Sequence, residues 1–133
     1  MIRLHSSSWH GTGGSFDVIA DGSNTPVNIS VAFAPLNSFL VLDARGSGAP
    51  AHVYLHPAFE GVYQVESERQ HGAAFIVTKD VVDPSGAGRE RRVQGLNWRE
   101  QRIAGFVGWG ERTRNPPYGA VKVVSSEQAT LVV

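Results

Sequence analysis

Two stretches of the chain hold the residues best suited to chemistry. The first runs from Asn97 to Tyr118 and gathers Asn97, Trp98, Arg99, Gln101, Trp109, Glu111, Arg112, Arg114 and Asn115 before Pro116-Pro117-Tyr118. Sugars present apolar C–H faces ringed by hydroxyls, so a protein reads them with an aromatic plate and fixed planar donors and acceptors. Trp98, Trp109, Arg112, Arg114, Asn115 and Tyr118 are therefore the candidate ligand-binding residues. The competing reading makes Trp98 and Trp109 inward strand residues with their N–H groups satisfied. The glycines flanking Trp109 suit tight packing, whereas Trp98 has polar neighbours and is the better candidate for exposure. Tyr118 follows two prolines, as on a rigid loop tip.

The second stretch is the Asp83-Pro84-Ser85-Gly86-Ala87-Gly88 turn followed by Arg89-Glu90-Arg91-Arg92. Arginine forks match paired oxygens, which makes Arg89, Arg91 and Arg92 the candidate anion-binding residues. The favoured alternative is a hairpin loop held by internal salt bridges. A nucleic-acid stripe is not expected, because such stripes accompany a net basic domain.

Other chemistries lack their residues. The chain has no cysteine, which excludes disulfides, thiolate nucleophiles and Cys-ligated metal. No Gly-x-Ser-x-Gly elbow or Gly-x-x-x-x-Gly-Lys loop occurs. Glu66 and Glu68 share a strand face but lie among Gln64, Arg69 and Gln70, which reads as solvated surface rather than a hydrolytic carboxylate pair. His52, Tyr54 and His56 also share a face. At strand rise the two imidazoles sit ~13 Å apart, too far to hold one metal ion. His5 and His10 beside Trp9 are assigned to a flexible N-terminal segment. The expectation is a non-enzymatic protein with no cofactor and no metal.

The 133 residues make one domain, 1–133, with 1–14 as the flexible segment, and the hydrophobic fraction of 41% argues against disorder. Twelve bases balance twelve acids, so no global field draws the chain to nucleic acid or an anionic membrane. The balance hides an asymmetry. Residues 1–86 carry eight acids and four bases, and residues 87–133 the reverse. Ten of the bases are Arg, seven of them between Arg89 and Arg114. The two halves are expected to neutralise each other across a sheet or a subunit contact.

Period-2 apolar spacing recurs at Phe16, Val18 and Ala20, at Val27, Ile29, Val31 and Phe33, and at Leu40 and Leu42. It continues at Val53 and Leu55, Phe75 and Val77, Val107 and Trp109, Val121 and Val123, and Leu131 and Val133. That is the pattern of half-buried strands, and Gly- and Ser-rich turns separate the runs. No long amphipathic helix is expected: Leu96 to Ile103 has the length of two helical turns, but Gly95 and Gly105 bracket it closely. Residues 18–31 superpose on 42–55 at an offset of 24, with Ala, Gly, Ser and Pro coinciding. A further 24 residues brings Gly72 under Gly48 and places Phe75 and Val77 under Ala51 and Val53. The segment Val123 to Leu131 repeats the pattern. Such a period implies stacked units, each too small to bury its own face. The expected fold is all-β, with repeated strand–turn–strand units forming a flattened β-solenoid or a two-layer β-sandwich.

The order of pieces resembles a group of fungal adhesin-like β domains of unknown function. The matching residues are Asn24-Thr25-Pro26-Val27, His56-Pro57-Ala58-Phe59-Glu60-Gly61, Asp83-Pro84-Ser85-Gly86-Ala87-Gly88-Arg89 with Arg91 and Arg92, Gly108-Trp109-Gly110, and Val121 to Ser126. The resemblance spans roughly residues 16–133 and implies an all-β adhesin-like module without an established activity. The run Asn97 to Arg102 is unusually polar for the group.

The expected partner is a glycan, and the alternative is a structural protein acting through self-association into a homo-oligomer, favoured by exposed strand edges and the opposed charge halves. No run approaches a membrane span or the apolar stretch of a signal peptide, and localisation stays open between a cytoplasmic and a non-classically exported chain.

Overall fold

The structure is a computed structural model that describes residues 2–8, 14–32, 39–69, 72–99, 101–111 and 119–133, with only the backbone described in 2–8, 14–15 and 96–99. Eleven strands are present among these residues: β1 (Ile2–Ser8), β2 (Gly14–Ser23), β3 (Val27–Ser30), β4 (Phe39–Ser47), β5 (Ala51–Tyr54), β6 (Gly61–Ser67), β7 (Ala74–Val77), β8 (Arg91–Arg99), β9 (Arg102–Trp109), β10 (Gly119–Ser125) and β11 (Ala129–Val132). The chain is all-β with two sheets. The larger has the order β1-β2-β4-β10-β6-β9-β8 and the smaller β3-β5-β11-β7.

Four pairs of strands share one plan. In β2–β3, β4–β5, β6–β7 and β10–β11 the first strand joins the large sheet and the second joins the small one. All neighbours within this block are parallel. β1 adds to β2 antiparallel, and the β8–β9 hairpin adds to β6 antiparallel, so the large sheet is mixed.

The 24-residue repeat is the pairing register itself. Val18 lies level with Leu42 in the large sheet, and Val27 with Ala51 in the small one. The corner between sheets explains why Gly and Ser recur there. Asn24 takes a left-handed backbone with φ 53° and Gly48 one with φ 71°, and the Asn24 N–H donates to the Ser47 carbonyl at 2.6 Å. A Cβ at Gly48 would fall on Asn24 Oδ1 and would strain the left-handed backbone, which favours glycine at that level.

The last unit in sequence is not last in space. β10 lies between β4 and β6, and β11 lies between β5 and β7. This explains its composition, because a strand with parallel neighbours on both sides and a covered inner face reads as a near-continuous apolar run. Val121, Val123, Val124, Ala129, Leu131, Val132 and Val133 are all buried.

One expectation is corrected. Phe75 and Val77 do not continue the inward alternation: they are exposed at 46% and 45%, while Ala74 and Ile76 face the core. Across β10, Leu42 is level with Tyr63, an offset of 21, and across β11, Ala51 is level with Ala74, an offset of 23. The segment before β6 falls three residues short of the period and the β6–β7 corner restores two, and the net slip of one residue turns every side chain of the strand to the other face. The described residues contain no helix, in keeping with the all-β expectation. Leu96–Arg99 belong to β8 and Arg102 and Ile103 to β9, which pair antiparallel with a register shift between Asn97 and Arg99. Residues 2–8 form the strand β1, paired with β2.

One core fills the space between the inner faces, from Leu40, Leu42, Val65, Val107, Val121 and Val123 on one side to Val27, Val53, Ala129 and Leu131 on the other. Tyr63 reaches sideways beneath the β8–β9 hairpin. Its hydroxyl donates to the Gln94 carbonyl at 2.9 Å, and Gly95 and Gly105 leave the space it occupies.

Candidate functional site

Loop 56–60 meets Arg91 of β8 and Trp109 of β9 in space. Loop 56–60 is a tight turn in which the Phe59 N–H donates to the His56 carbonyl at 2.9 Å, sending the Phe59 ring into the core. Trp109, at the end of β9, packs over it. Its Nε1–H donates to the Pro57 carbonyl at 2.8 Å and its backbone N–H to Glu60 Oε1 at 2.8 Å. The indole is only 5% exposed, so Trp109 offers no open plate to a sugar.

Arg91, opposite Trp109 in the hairpin register, lies with its guanidinium 4.8 Å from the centroid of the Trp109 ring. Its Nη1 donates to the Pro57 carbonyl at 2.8 Å and to that of Phe59 at 3.3 Å, and its Nε and Nη2 are buried with no hydrogen-bond partner. Burial pushes this guanidinium below its ordinary pKa, against a weaker opposing pull from Glu60. Arg91 is thus built into the fold by a cation–π contact and backbone carbonyls.

Arg89 is committed to Asp83. Its Nε and Nη2 each meet a different carboxylate oxygen at 3.0 Å, and its backbone N–H adds a third bond at 2.9 Å. The Ser85 N–H and hydroxyl also donate to Asp83 Oδ1, at 3.0 and 2.8 Å. The Asp83 side chain is 2% exposed, and the Arg89 guanidinium holds its carboxyl far below the ordinary carboxylate range. Gly86 and Gly88, with φ of 73° and 69°, let the loop curl around that carboxylate. The internal salt bridge that competed with an anion site is therefore present. Of the three arginines only Arg92 is an exposed side chain. A hollow of about 490 Å³ lies beside the loop, lined by Val82, Asp83, Arg89, Glu90, Arg91 and Trp109.

Among the remaining candidates, Trp98 sits at the register shift near the end of β8, the outermost strand of the large sheet, and its side chain lies outside the described residues. Arg112, Arg114, Asn115 and Tyr118 also lie outside them. Among the described residues, no group of three or more His, Asp or Glu side chains comes together to hold a metal ion. No helix there is long and apolar enough to cross a membrane.

Among the described residues, the exposed aromatic side chains lie elsewhere, on the outer face of the small sheet. Strand register aligns two rows across it, Asn28–His52–Thr130–Phe75 and Ser30–Tyr54–Val132–Val77. Their inward neighbours Val27, Val53, Leu131 and Ile76 belong to the core, which fixes these rows as outward. Tyr54 is 39% exposed and Phe75 46%, while Thr130 and Val132 on the central strand are nearly covered. At ~4.8 Å between strands and ~6.6 Å per two residues, the Cα atoms of Tyr54 and Phe75 are roughly 12 Å apart. Lys79 Nζ stands 5.5 Å from the Tyr54 ring centroid. The result is a low platform with Tyr54 and Phe75 on either side of Thr130 and Val132, His52 on the same strand as Tyr54, and Asn28 and Ser30 on the edge strand β3 beyond it.

The sequence reading placed Tyr54 on a polar outer face and Phe75 in the core. The signal that locates Phe75 is the alanine row: Ala51, Ala129 and Ala74 are level in the small sheet, so the residue after Ala74 must point outward. Comparison of the chain with protein-family models, curated proteins and solved structures finds no match.

Proposed function

From this platform we propose that the chain is a non-enzymatic, adhesin-like module that binds a glycan on the outer face of its small sheet. The observation that carries the reading is the pairing of Tyr54 and Phe75 as exposed rings on one face, with Asn28, His52 and Ser30 beside them. An aromatic ring covers the C–H face of a sugar, and the flanking side chains supply directional hydrogen bonds to its hydroxyls. The separation of the two residues suits two sugar units along one chain rather than a single ring. A β framework that holds both residues on strands fixes that spacing at little entropic cost on binding.

We further read the four strand pairs as rungs of a short parallel β-solenoid. In-register stacking in both sheets and the matching Gly/Ser corners support that description over a sandwich of independent sheets. The antiparallel additions β1 and β8–β9 then act as end caps of the large sheet, which weakens the alternative of self-assembly by end-to-end stacking.

A glycan array probed with the folded protein tests the reading. Binding that Tyr54→Ala and Phe75→Ala each reduce, with unchanged thermal unfolding, is the expected result. An array without binding by well-folded protein sinks it.

A further inference from the structure

The opposite, outer face of the large sheet holds a groove that the aromatic platform does not explain. It runs across β4, β10, β6 and β9, has a volume of about 460 Å³, and is lined by Val41, Asp43, Val62, Gln64, Ala120 and Lys122. Two rows build it. Val41, Ala120 and Val62 are level on adjacent strands, so the short Ala120 leaves a dip between two valines. Asp43, Lys122 and Gln64 form the next outward row. The volume is in the ~300–1,000 Å³ range of small-molecule sites, and an apolar floor with a few placed polar groups is their usual make-up.

Asp43 identifies what the groove lacks. Its Oδ1 is buried and has no hydrogen-bond partner. The nearby polar groups do not supply one. Gln64 Nε2 is turned to Glu66 Oε2 at 3.0 Å, and no ion pair joins Asp43 to Lys122 among the described residues. A carboxylate accepts only, so the missing group is a donor. Lys122, one strand away, donates only.

We propose that this groove is a second binding site, which takes a small neutral ligand carrying neighbouring hydroxyl groups on a compact apolar ring, such as a single sugar ring or a cyclic polyol. One hydroxyl donates to Asp43, an adjacent one accepts from Lys122, and the apolar side of the ring lies over Val41, Ala120 and Val62. The neutrality follows from the two side chains: an ammonium ligand meets Lys122 and a carboxylate ligand meets Asp43, each a like charge. A vicinal diol satisfies both. The proposal is independent of the platform on the small sheet, since no lining residue belongs to that face.

The test is an NMR titration of the labelled protein with methyl glycosides and with myo-inositol, run in parallel on the unsubstituted protein and on Asp43→Ala, Lys122→Met and Tyr54→Ala. Expected are saturable shifts at Val41, Val62, Ala104 and Ala120 that Tyr54→Ala leaves intact. Asp43→Ala should weaken the binding roughly tenfold or more, the loss of one hydrogen bond to a charged group. Lys122→Met should weaken it in the same direction. Shifts confined to the small sheet, or a groove that responds equally in Asp43→Ala and the unsubstituted protein, overturn the proposal. So does a groove that stays silent to every probe while unchanged amide spectra show all variants folded.

Discussion

Replacing Leu131 by Ala tests the placement of the C-terminal unit in the middle of both sheets. Leu131 is fully buried on β11, level with Val53 on one side and Ile76 on the other. Leu→Ala removes three carbons, worth about 2.4 kcal/mol at ~0.8 kcal/mol each. A site walled by paired strands on both sides cannot collapse, so a cavity cost adds to this and the total reaches about 3–5 kcal/mol. That is a large share of the ~5–15 kcal/mol expected for a domain. Equilibrium urea unfolding followed by far-UV circular dichroism and by Trp fluorescence is the assay. The expected outcome is a midpoint lowered in both probes together, with an unchanged slope, because β11 ties β5 to β7. Val27→Ala on β3, which pairs only with β5, is the comparison and should cost about 1–2 kcal/mol. Were the units stacked in sequence order, Leu131 would lie in a terminal unit and its loss would fray that end alone. A cost below about 1 kcal/mol, or a separate early transition in one probe, would refute the central placement.

Three further outcomes follow from the geometry. Ile76→Asp should unfold the protein and Phe75→Asp should leave its melting temperature nearly unchanged, because Ile76 packs on the core and Phe75 is exposed; circular dichroism melts distinguish them. Gly105→Ala should destabilise by about 1–3 kcal/mol, as an overpacked position does, since its Cβ would meet the Tyr63 hydroxyl at 2.6 Å and the Gln94 carbonyl closer still; denaturant titration reads the loss. The Asp83 carboxyl is held below its ordinary value near 3.8, so the stability it contributes is present above that value and is lost as pH falls through its lower folded value. The unsubstituted protein should therefore be more stable than Asp83→Asn at neutral pH, with the difference shrinking once pH drops below about 4; melts across pH 2–7 check the sign.

Much of this fold is legible in the sequence wherever the repeat keeps its period. The 24-residue offset is the register of β2 on β4 and β3 on β5, and the Gly-Ser corners mark the turns between sheets. The burial of Leu42, Val53, Val107, Val123 and Leu131 follows from alternation alone. Periodicity fails at Phe75 because the segment before β6 is three residues short of the period and the next corner adds back only two, a net slip of one, and no local pattern in Ala74–Val77 says which face is inner. The spatial order of units is equally silent. Val121 to Val133 reads as apolar strand, yet whether it extends the stack or enters its middle depends on pairings with β4, β6, β5 and β7 that lie far away in sequence.

The candidate site was harder to read for the same reason. Trp109 and Arg91 have the residue types of a recognition site, but cross-strand register puts them together over loop 56–60, where each satisfies the other and the Pro57 carbonyl. Asp83 and Arg89 likewise satisfy each other within one loop. Motif specificity here reports structural closure. The exposed pair, Tyr54 and Phe75, shares no motif and is brought to one face only by the intervening β11.

Isothermal titration of the protein with the oligosaccharide selected on the glycan array tests the central proposal most directly, run on the unsubstituted chain and on the Tyr54→Ala/Phe75→Ala double variant. The account predicts saturable binding of an oligosaccharide of two or more units, lost in the double variant while its melting temperature is preserved. Equal binding by both proteins would contradict it.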